Sequence, residues 1–281
     1  MTGVRELDVA RIADAVAGAL ETAASRLPED YLRALETAAD REAAPLAKDV
    51  IATLLENARY AESEAIPTCQ DTGMAVLFVE LGQDVHLVGG DLNAALDAGV
   101  RRAYGELRKS VVADPLLRVN TRDNTPAIVH LRMAPGDGVR IDALMKGFGA
   151  EMMSRSGMLP PSAGIAGVKT FVLDVVRSAG PNACPPLIVG VGIGGSFDTV
   201  GGHAKHALVR ALGAANDAPH LAELERDLLA QINALGVGPQ GLGGVTTALA
   251  VHVEAAPTHI AALPVAVNLN CSAPRRVSIA L

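Results

Sequence analysis

The sequence predicts an α/β fold: one mixed β-sheet domain over residues 1–281, with a helical N-terminal extension (1–63) ahead of an α/β body (64–281). Three observations carry that expectation. Residues 5–63 place apolar side chains at helical spacing. Beyond them, short β-rich runs alternate with helical patterns. No internal repeat or low-complexity linker divides the chain, and a hydrophobic content of 49% supports a sizeable core.

The elements follow in order. Residues 5–63 read as two or three helices. Val9, Ile12, Val16 and Leu20 share one face, and Leu46, Val50, Leu54 and Asn57 share a later one. Pro28 and Pro45 sit where first-turn prolines belong. A strand is predicted from Met74 to Leu81. Asp91 is placed to cap a helix running to Lys109. Two strands, 127–133 and 139–144, flank Pro135-Gly-Asp-Gly138, read as a hairpin-type turn. A helix is expected near 164–178 and an apolar strand over 187–191. Gly192-Ile-Gly-Gly-Ser is expected to open a helix reaching about 213, with a further helix near 220–235. Two β-rich segments, 245–254 and 259–269, close the pattern.

Composition excludes several classes. The chain has four Phe, three Tyr and no Trp, so the core must be built from Ala, Val, Leu and Ile. A net charge of −7 gives no footprint for nucleic acid. Three cysteines cannot all pair and do not resemble a secreted disulfide scaffold. No apolar run reaches membrane-spanning length, and the charged amphipathic N-terminus has no signal-peptide core. A soluble cytoplasmic protein is expected.

The cysteines carry the chemistry. Cys69 lies in Ile-Pro-Thr-Cys-Gln-Asp-Thr-Gly, Cys184 in Asn-Ala-Cys-Pro-Pro, and Cys271 in Asn-Leu-Asn-Cys-Ser-Ala-Pro-Arg-Arg. A free cysteine is often only a small buried hydrophobe. None of these three sits in an apolar periodic run, and each is flanked by Pro, Gly or polar residues. Proline after cysteine stiffens a loop and withholds a competing donor. The spacings are too long for a ferredoxin run or a zinc CxxC pair, so convergence would have to come from the fold. Three thiolates can hold a cubane iron–sulfur cluster and leave one iron open as a Lewis acid.

Other motifs are weaker. Gly190-Val-Gly-Ile-Gly-Gly195 satisfies the dinucleotide fingerprint, with Asp217 where a Rossmann acid would fall, but no second strand precedes Asp217. An anion nest at a helix N-terminus fits the glycines better, and a tight turn would need them too. His203 and His206, three apart on a predicted helix, read as surface residues. Asp71 suits either proton transfer beside a cluster or an Asx-turn before Gly73. Arg108, Lys109, Lys146, Lys169, Arg275 and Arg276 are the cations near motifs that suit a dianion. Of seven histidines only His259, near the last cysteine motif, stands out.

Cys69-Gln-Asp-Thr-Gly, Asp123-Asn-Thr-Pro-Ala, Lys146-Gly-Phe-Gly, Asn182-Ala-Cys-Pro-Pro, Gly192-Ile-Gly-Gly, Gly238-Pro-Gln-Gly-Leu-Gly-Gly and a final Cys271 with Arg275-Arg276 occur in that order. The ordered set resembles the iron–sulfur class I fumarases and the related L-tartrate dehydratases over roughly residues 10–280. More narrowly, it resembles the α subunit of their two-subunit forms, equivalent to the N-terminal domain of the fused enzymes. The resemblance implies that Cys69, Cys184 and Cys271 ligate a 4Fe–4S cluster. Gln70 and Asp71 would face the substrate, with Asp71 as proton donor or acceptor. Arg108 would meet a substrate carboxylate, with Lys109 as the fallback. Gly149 would bring its backbone to the substrate, and His259 would be an active-site histidine. It further implies a small dicarboxylate substrate and a β subunit carrying the remaining site residues, in an α2β2 assembly or with a homodimer of α. The reaction it implies is reversible hydration of fumarate to (S)-malate. The alternatives are tartrate dehydration to oxaloacetate and a non-catalytic iron–sulfur subunit. The Pro-Thr-Cys and Asp-Asn-Thr-Pro contexts lean towards fumarate.

Overall fold

A computed structural model describes residues 3–281. In chain order the elements are β1 (Arg5–Asp8), α1 (Val9–Ser25), α2 (Glu29–Arg41), α3 (Pro45–Ser63), β2 (Met74–Gly82), β3 (Val85–Val88) and α4 (Leu92–Ala103). Then come β4 (Val112–Asp114), β5 (Val119–Asn120), β6 (Ile128–Ala134), β7 (Val139–Lys146), α5 (Phe148–Met152), β8 (Arg155–Leu159) and α6 (Gly164–Ala179). The last are β9 (Leu187–Gly195), α7 (Val200–Ala207), α8 (Pro219–Asn233), β10 (Ala248–Thr258), β11 (Leu263–Asn270) and β12 (Arg276–Ala280). The α/β class and the helical N-terminal segment are as expected. Among the described residues, no helix is long and apolar enough to cross a membrane.

The chain folds as two compact units. The first holds the residues up to Pro28, Ala58–Gly147 and Arg275–Leu281. Its four-stranded sheet has the order β12-β7-β2-β6, with β2 parallel to β6 and antiparallel to β7. Ile12, Val16 and Leu20 of α1, with Leu96 and Val100 of α4, cover the sheet residues Leu77, Ile141 and Ala143. Asp8 caps α1 by accepting from the Ala10 amide, and Asp91 caps α4 by accepting from Ala94 at 2.8 Å. α4 stops at Ala103, short of Lys109. The Lys109 ammonium folds back onto the carbonyls of Tyr104 and Gly105, satisfying acceptors at the helix end.

The expected hairpin at Pro135–Gly138 is a different object. β6 and β7 do not pair, because β2 lies between them. The turn instead crosses the end of β2, where Gly82, Gln83 and Asp84 donate to the carbonyls of Gly138, Ala134 and Gly136 at 2.8–3.0 Å. A Cβ on Gly82 would stand 2.3 Å from the Gly136 oxygen, so the crossing needs glycine there.

The second unit holds Glu29–Asn57 and Phe148–Pro274. Its sheet has the order β10-β9-β11-β8, with β10 parallel and β11 antiparallel to β9. α6 and α8 bury Val172, Val176, Leu228 and Ile232 against Val189, Val191 and Val267. Glu42 is 2% exposed and accepts from the amides of Ala43, Ala44, Val245 and Thr246 at 2.9–3.3 Å. One carboxylate thereby ties the end of α2 to the segment before β10.

The face proposed for α3 is displaced by one residue. Leu46 is exposed, and Ala47 and Ile51 are buried in its place. The glycine-rich run is also not a helix opening. Gly190 to Gly195 continue β9, and α7 starts only at Val200. A Cβ on Gly190 would meet the Ala204 oxygen at 2.1 Å, and one on Gly192 the Val200 oxygen at 2.3 Å. These glycines let α7 lie directly on β9. Asp217 stands exposed in the segment before α8 with no strand ahead of it, so the dinucleotide pattern lacks its second half.

Candidate functional site

In the first unit, the loop between α3 and β2 carries Cys69, Gln70 and Asp71. Cys69 Sγ lies 3.5 Å from Gln70 Oε1. Asp71 Oδ1 accepts from the Gly73 amide at 3.0 Å, which is the Asx-turn. Its other oxygen faces Gly147, where a Cβ would sit 3.1 Å from Oδ2. Any side chain at 147 would crowd the carboxylate, so the first glycine of Lys-Gly-Phe-Gly serves Asp71.

Arg275 reaches the same loop from the start of β12. It is 2% exposed, and its guanidinium donates to Asp71 O at 2.6 Å and to Thr72 O at 3.5 Å. Lys146 is buried too and donates to Gly147 O at 3.1 Å. Both cations, expected to meet a dianion, donate to backbone carbonyls around Asp71.

Arg108 is exposed, and among the described residues its guanidinium has no partner. Its carbonyl accepts from Thr72 Oγ1 at 2.8 Å and from Asn124 Nδ2 at 3.0 Å. Asn124 is fully buried and also accepts from the Ser110 amide at 2.6 Å. The Asp-Asn-Thr-Pro motif therefore works as a bracket for the arginine loop. A cavity of about 440 Å³ opens there, lined by Gln70, Asp71, Arg108, Lys109, Ser110 and Arg118 among others. Lys109 donates its ammonium to backbone carbonyls, and Arg108 and Arg118 are the other cations that line this cavity.

In the second unit, Cys184 and Cys271 come together through sheet register. β9 begins three residues after Cys184 and β11 ends one residue before Cys271, and Asn270 pairs with Ile188. The Ser272 amide donates to the Cys184 carbonyl at 3.0 Å. Gln240 Nε2 donates to Pro185 O at 2.8 Å and to Ser272 Oγ at 3.1 Å, and Tyr31 Oη donates to Ser272 O at 2.7 Å. Burial, and secondarily Cys271, push the Tyr31 phenol far above its ordinary pKa, so it stays a donor. Cys184 itself sits at φ 53°, a left-handed conformation uncommon for a residue with a Cβ. Gly149, on α5, lies beside this loop, 3.7 Å from the Asn182 oxygen when a Cβ is built on it. That distance is ordinary contact, so packing alone does not require glycine at 149.

His259 is placed elsewhere in the same unit. Thr258 pairs with Gly195, at the end of β9 opposite Cys184. Eight residues of strand separate the two ends, about 26 Å at strand rise. His259 is exposed, and its Nδ1 accepts from the Ala261 amide. Sequence reasoning promoted it on nearness along the chain, and the strand in between carries it away. His206, read as a plain surface residue, meets Glu254 of β10 at 2.6 Å. A second cavity in this unit, about 480 Å³, holds none of the expected site residues.

None of the three cysteines is in a disulfide, and all have some exposure. Among the described residues, no group of three His, Cys, Asp or Glu side chains stands poised around a metal ion. The donor set still suits an iron–sulfur cluster. Thiols are its ordinary ligands, none is locked in a disulfide, and Cys184 and Cys271 lie on two hydrogen-bonded loops.

An exposed arginine and an acid held in an Asx-turn line one cavity of the first unit, in which Gln70 follows the loop cysteine Cys69. Comparison with known proteins gives the class. The pattern described as fumarate hydratase (Fumerase) matches residues 13–280. A Methanocaldococcus jannaschii protein, provisionally named L(+)-tartrate dehydratase subunit alpha, is 39% identical, covering 95% of this chain and 96% of its own. L(+)-tartrate dehydratase subunit alpha of Escherichia coli is 35% identical in strain UTI89 and 34% in strain K12, each over 95% of this chain and 90% of the relative. The chain belongs to the fumarate hydratase (Fumerase) family.

Proposed function

We propose that this chain is the α subunit of a two-subunit hydro-lyase that dehydrates a small hydroxy dicarboxylate, L-tartrate in the first instance. The observation that carries this reading is the likeness to tartrate dehydratase α subunits along nearly their whole length. Those names outweigh the short motif contexts that lean towards fumarate. Fumarate hydration stands as the second reading, favoured by the family's own description.

Cys69, Cys184 and Cys271 are the residues that would hold a 4Fe–4S cluster. When bound, that group supplies a Lewis-acidic iron for the departing hydroxyl. The chain's own residues do the rest of its share. Arg108 binds one substrate carboxylate by charge-assisted hydrogen bonds. Gln70 orients the substrate beside it, with its amide at the cavity wall. Asp71 carries a proton at its carboxylate, which the Gly73 amide and the glycine at 147 hold in one orientation. Gly149 offers backbone close to the Cys184 loop. His259 is given no step, since the register of β9 and β10 parts it from Cys184. The partner subunit is expected to supply the remaining cations and the base.

The test is co-expression with the partner subunit, anaerobic reconstitution, and assay with L-tartrate, fumarate and (S)-malate. The expected result is oxaloacetate from tartrate, with about four iron and four sulfide per chain. Each of Cys69→Ser, Cys184→Ser and Cys271→Ser should lose the cluster. Turnover of fumarate and malate alone moves the assignment to the second reading. An intact cluster with no turnover of any of the three makes the chain a passive subunit.

A further inference from the structure

Three cations and one carboxylate line the cavity beside Gln70: Arg108, Lys109, Arg118 and Asp71, a formal +2 in a chain whose net charge is −7. Lys109 donates to backbone carbonyls, and Arg108 has been given one carboxylate of the substrate. Arg118 has no such task. Its guanidinium is exposed, and its one hydrogen bond among the described residues is a long one, 3.5 Å to the Pro115 carbonyl.

The backbone under Arg118 is strained and held. Its φ is 59°, and Arg122 and Asn124 follow at 67° and 63°, left-handed values that are costly for a residue with a Cβ. Asp114 Oδ1 accepts from the amides of Leu116 and Leu117 at 2.8 and 2.7 Å. Asn120 donates to the Lys109 carbonyl at 3.0 Å and accepts from the Arg122 amide at 2.7 Å, and the Thr121 amide donates to Val111 O at 2.9 Å. A loop that only connected strands would relax; strain kept in place by several bonds collects where a side chain has to be presented. Val112 and Asn120 of the same hairpin line the cavity too, so the braced loop is its wall. A guanidinium offers a planar fork of donors that matches a carboxylate with two bonds. A dicarboxylate calls for two such partners, and this cavity has two arginines.

We propose that Arg118 binds the second carboxylate of the substrate, so that this chain alone tells dicarboxylates from monocarboxylates. The inference rests on the reading of Arg108 as the partner of the first carboxylate. It brings into this chain one of the cations otherwise looked for in the partner subunit.

The test is calorimetric titration of the full chain, without its partner, against succinate (an unreactive four-carbon diacid) and butyrate (the matching monoacid). Wild type should bind succinate about tenfold or more tightly than butyrate. Arg118→Gln should weaken succinate about tenfold and leave butyrate within about twofold, so that the selectivity collapses. Arg118→Lys should restore part of the loss, because the charge returns without the fork. The thermal midpoint of Arg118→Gln should match wild type, since the guanidinium bonds so little within the protein. In the reconstituted two-subunit complex the same variant should raise KM for L-tartrate about tenfold and change kcat much less, as loss of substrate binding does. Succinate held by Arg118→Gln as tightly as by wild type overturns the proposal. So does a wild-type chain that treats the two acids alike, or that binds neither at millimolar concentration. A lowered midpoint in Arg118→Gln also overturns it, as the mark of a structural role. If the complex turns over no substrate while titration still selects succinate through Arg118, the hydro-lyase reading fails and the dicarboxylate site stands.

Discussion

The amide of Ser272 donates to the carbonyl of Cys184 at 3.0 Å, joining two residues that are 88 positions apart in the chain. Gln240 clamps the same junction from the glycine-rich segment before β10, through Pro185 O and Ser272 Oγ. Gln240→Ala removes two neutral hydrogen bonds at once. The expected cost is about 1–3 kcal/mol in denaturant titration. Iron bound after reconstitution should fall with it, because the loop pair is no longer preset.

Arg108 and Lys109 are neighbours with opposite duties. Arg108→Ala should leave the thermal midpoint within a degree or two and lower kcat/KM for the dicarboxylate about 10- to 150-fold, the equivalent of one charged hydrogen-bonded contact. Lys109→Ala should do the reverse: stability drops because the Tyr104 and Gly105 carbonyls lose their donor, and turnover per folded molecule changes little. Steady-state kinetics beside thermal melts separate the two. Equal loss of activity from both variants contradicts the assignment of the free cation to Arg108.

Glu42 is the single acceptor for four backbone amides. Glu42→Ala leaves all four without this acceptor, the bond from Thr246 being buried and the rest partly so, and about 1–3 kcal/mol of stability should go. Glu42→Gln should also destabilise, because its NH2 would face two of those donors. Chemical unfolding of both variants checks the order, with Ala the weaker.

Gly192→Ala should destabilise by about 1–3 kcal/mol, since its methyl would drive α7 away from β9. Gly202, within α7 itself, has nothing within 4 Å of its Cβ position. Gly202→Ala should therefore be neutral or gain up to about 1 kcal/mol from helix propensity. Melting the pair side by side distinguishes packing glycines from incidental ones.

Asp123 bonds to Arg101 at 2.9 Å and accepts from the Thr125 amide and hydroxyl, which holds its carboxyl down at about 2. A depressed pKa means that the folded state favours the ionised form. The stability it supplies is fully present above the ordinary value of 3.8 and fades as pH falls through about 2. Asp123→Asn should therefore lower the melting temperature at pH 7, and the gap to wild type should close between pH 4 and pH 2. The effect should be modest, because the pair lies near solvent and is screened. A constant gap across that range would show that Asp123 does not act through its charge.

Much of this protein is legible from its residues in order. Val9, Ile12, Val16 and Leu20 mark the buried stripe of α1, Asp91 marks a helix start, and strand periodicity finds β2, β7, β10 and β11. These signals are local: a helix face repeats every few residues, and a cap lies within one turn of the amide it satisfies. The short strands β1, β8 and β12 leave no such trace, because each is defined by a partner elsewhere. β12 becomes a strand by lying against β7, with Ser278 opposite Asp142. The glycine run misleads for the same reason. It reads as an anion nest opening a helix until α7 is seen lying on it.

The site divides along the same line. Residue type and motif order were enough to nominate Cys69, Cys184, Cys271, Asp71 and Arg108, because chemistry of this kind requires thiols, a carboxylate and a cation whatever the fold. Folding settled which of them meet and what holds them. The β9–β11 register seats Cys184 beside Cys271 and sends His259 to the far end of the sheet. Folding also buries Arg275 and Lys146, and both donate to backbone around Asp71. Those outcomes depend on pairings between distant segments, and the free energy of such a pairing resides in neither segment alone.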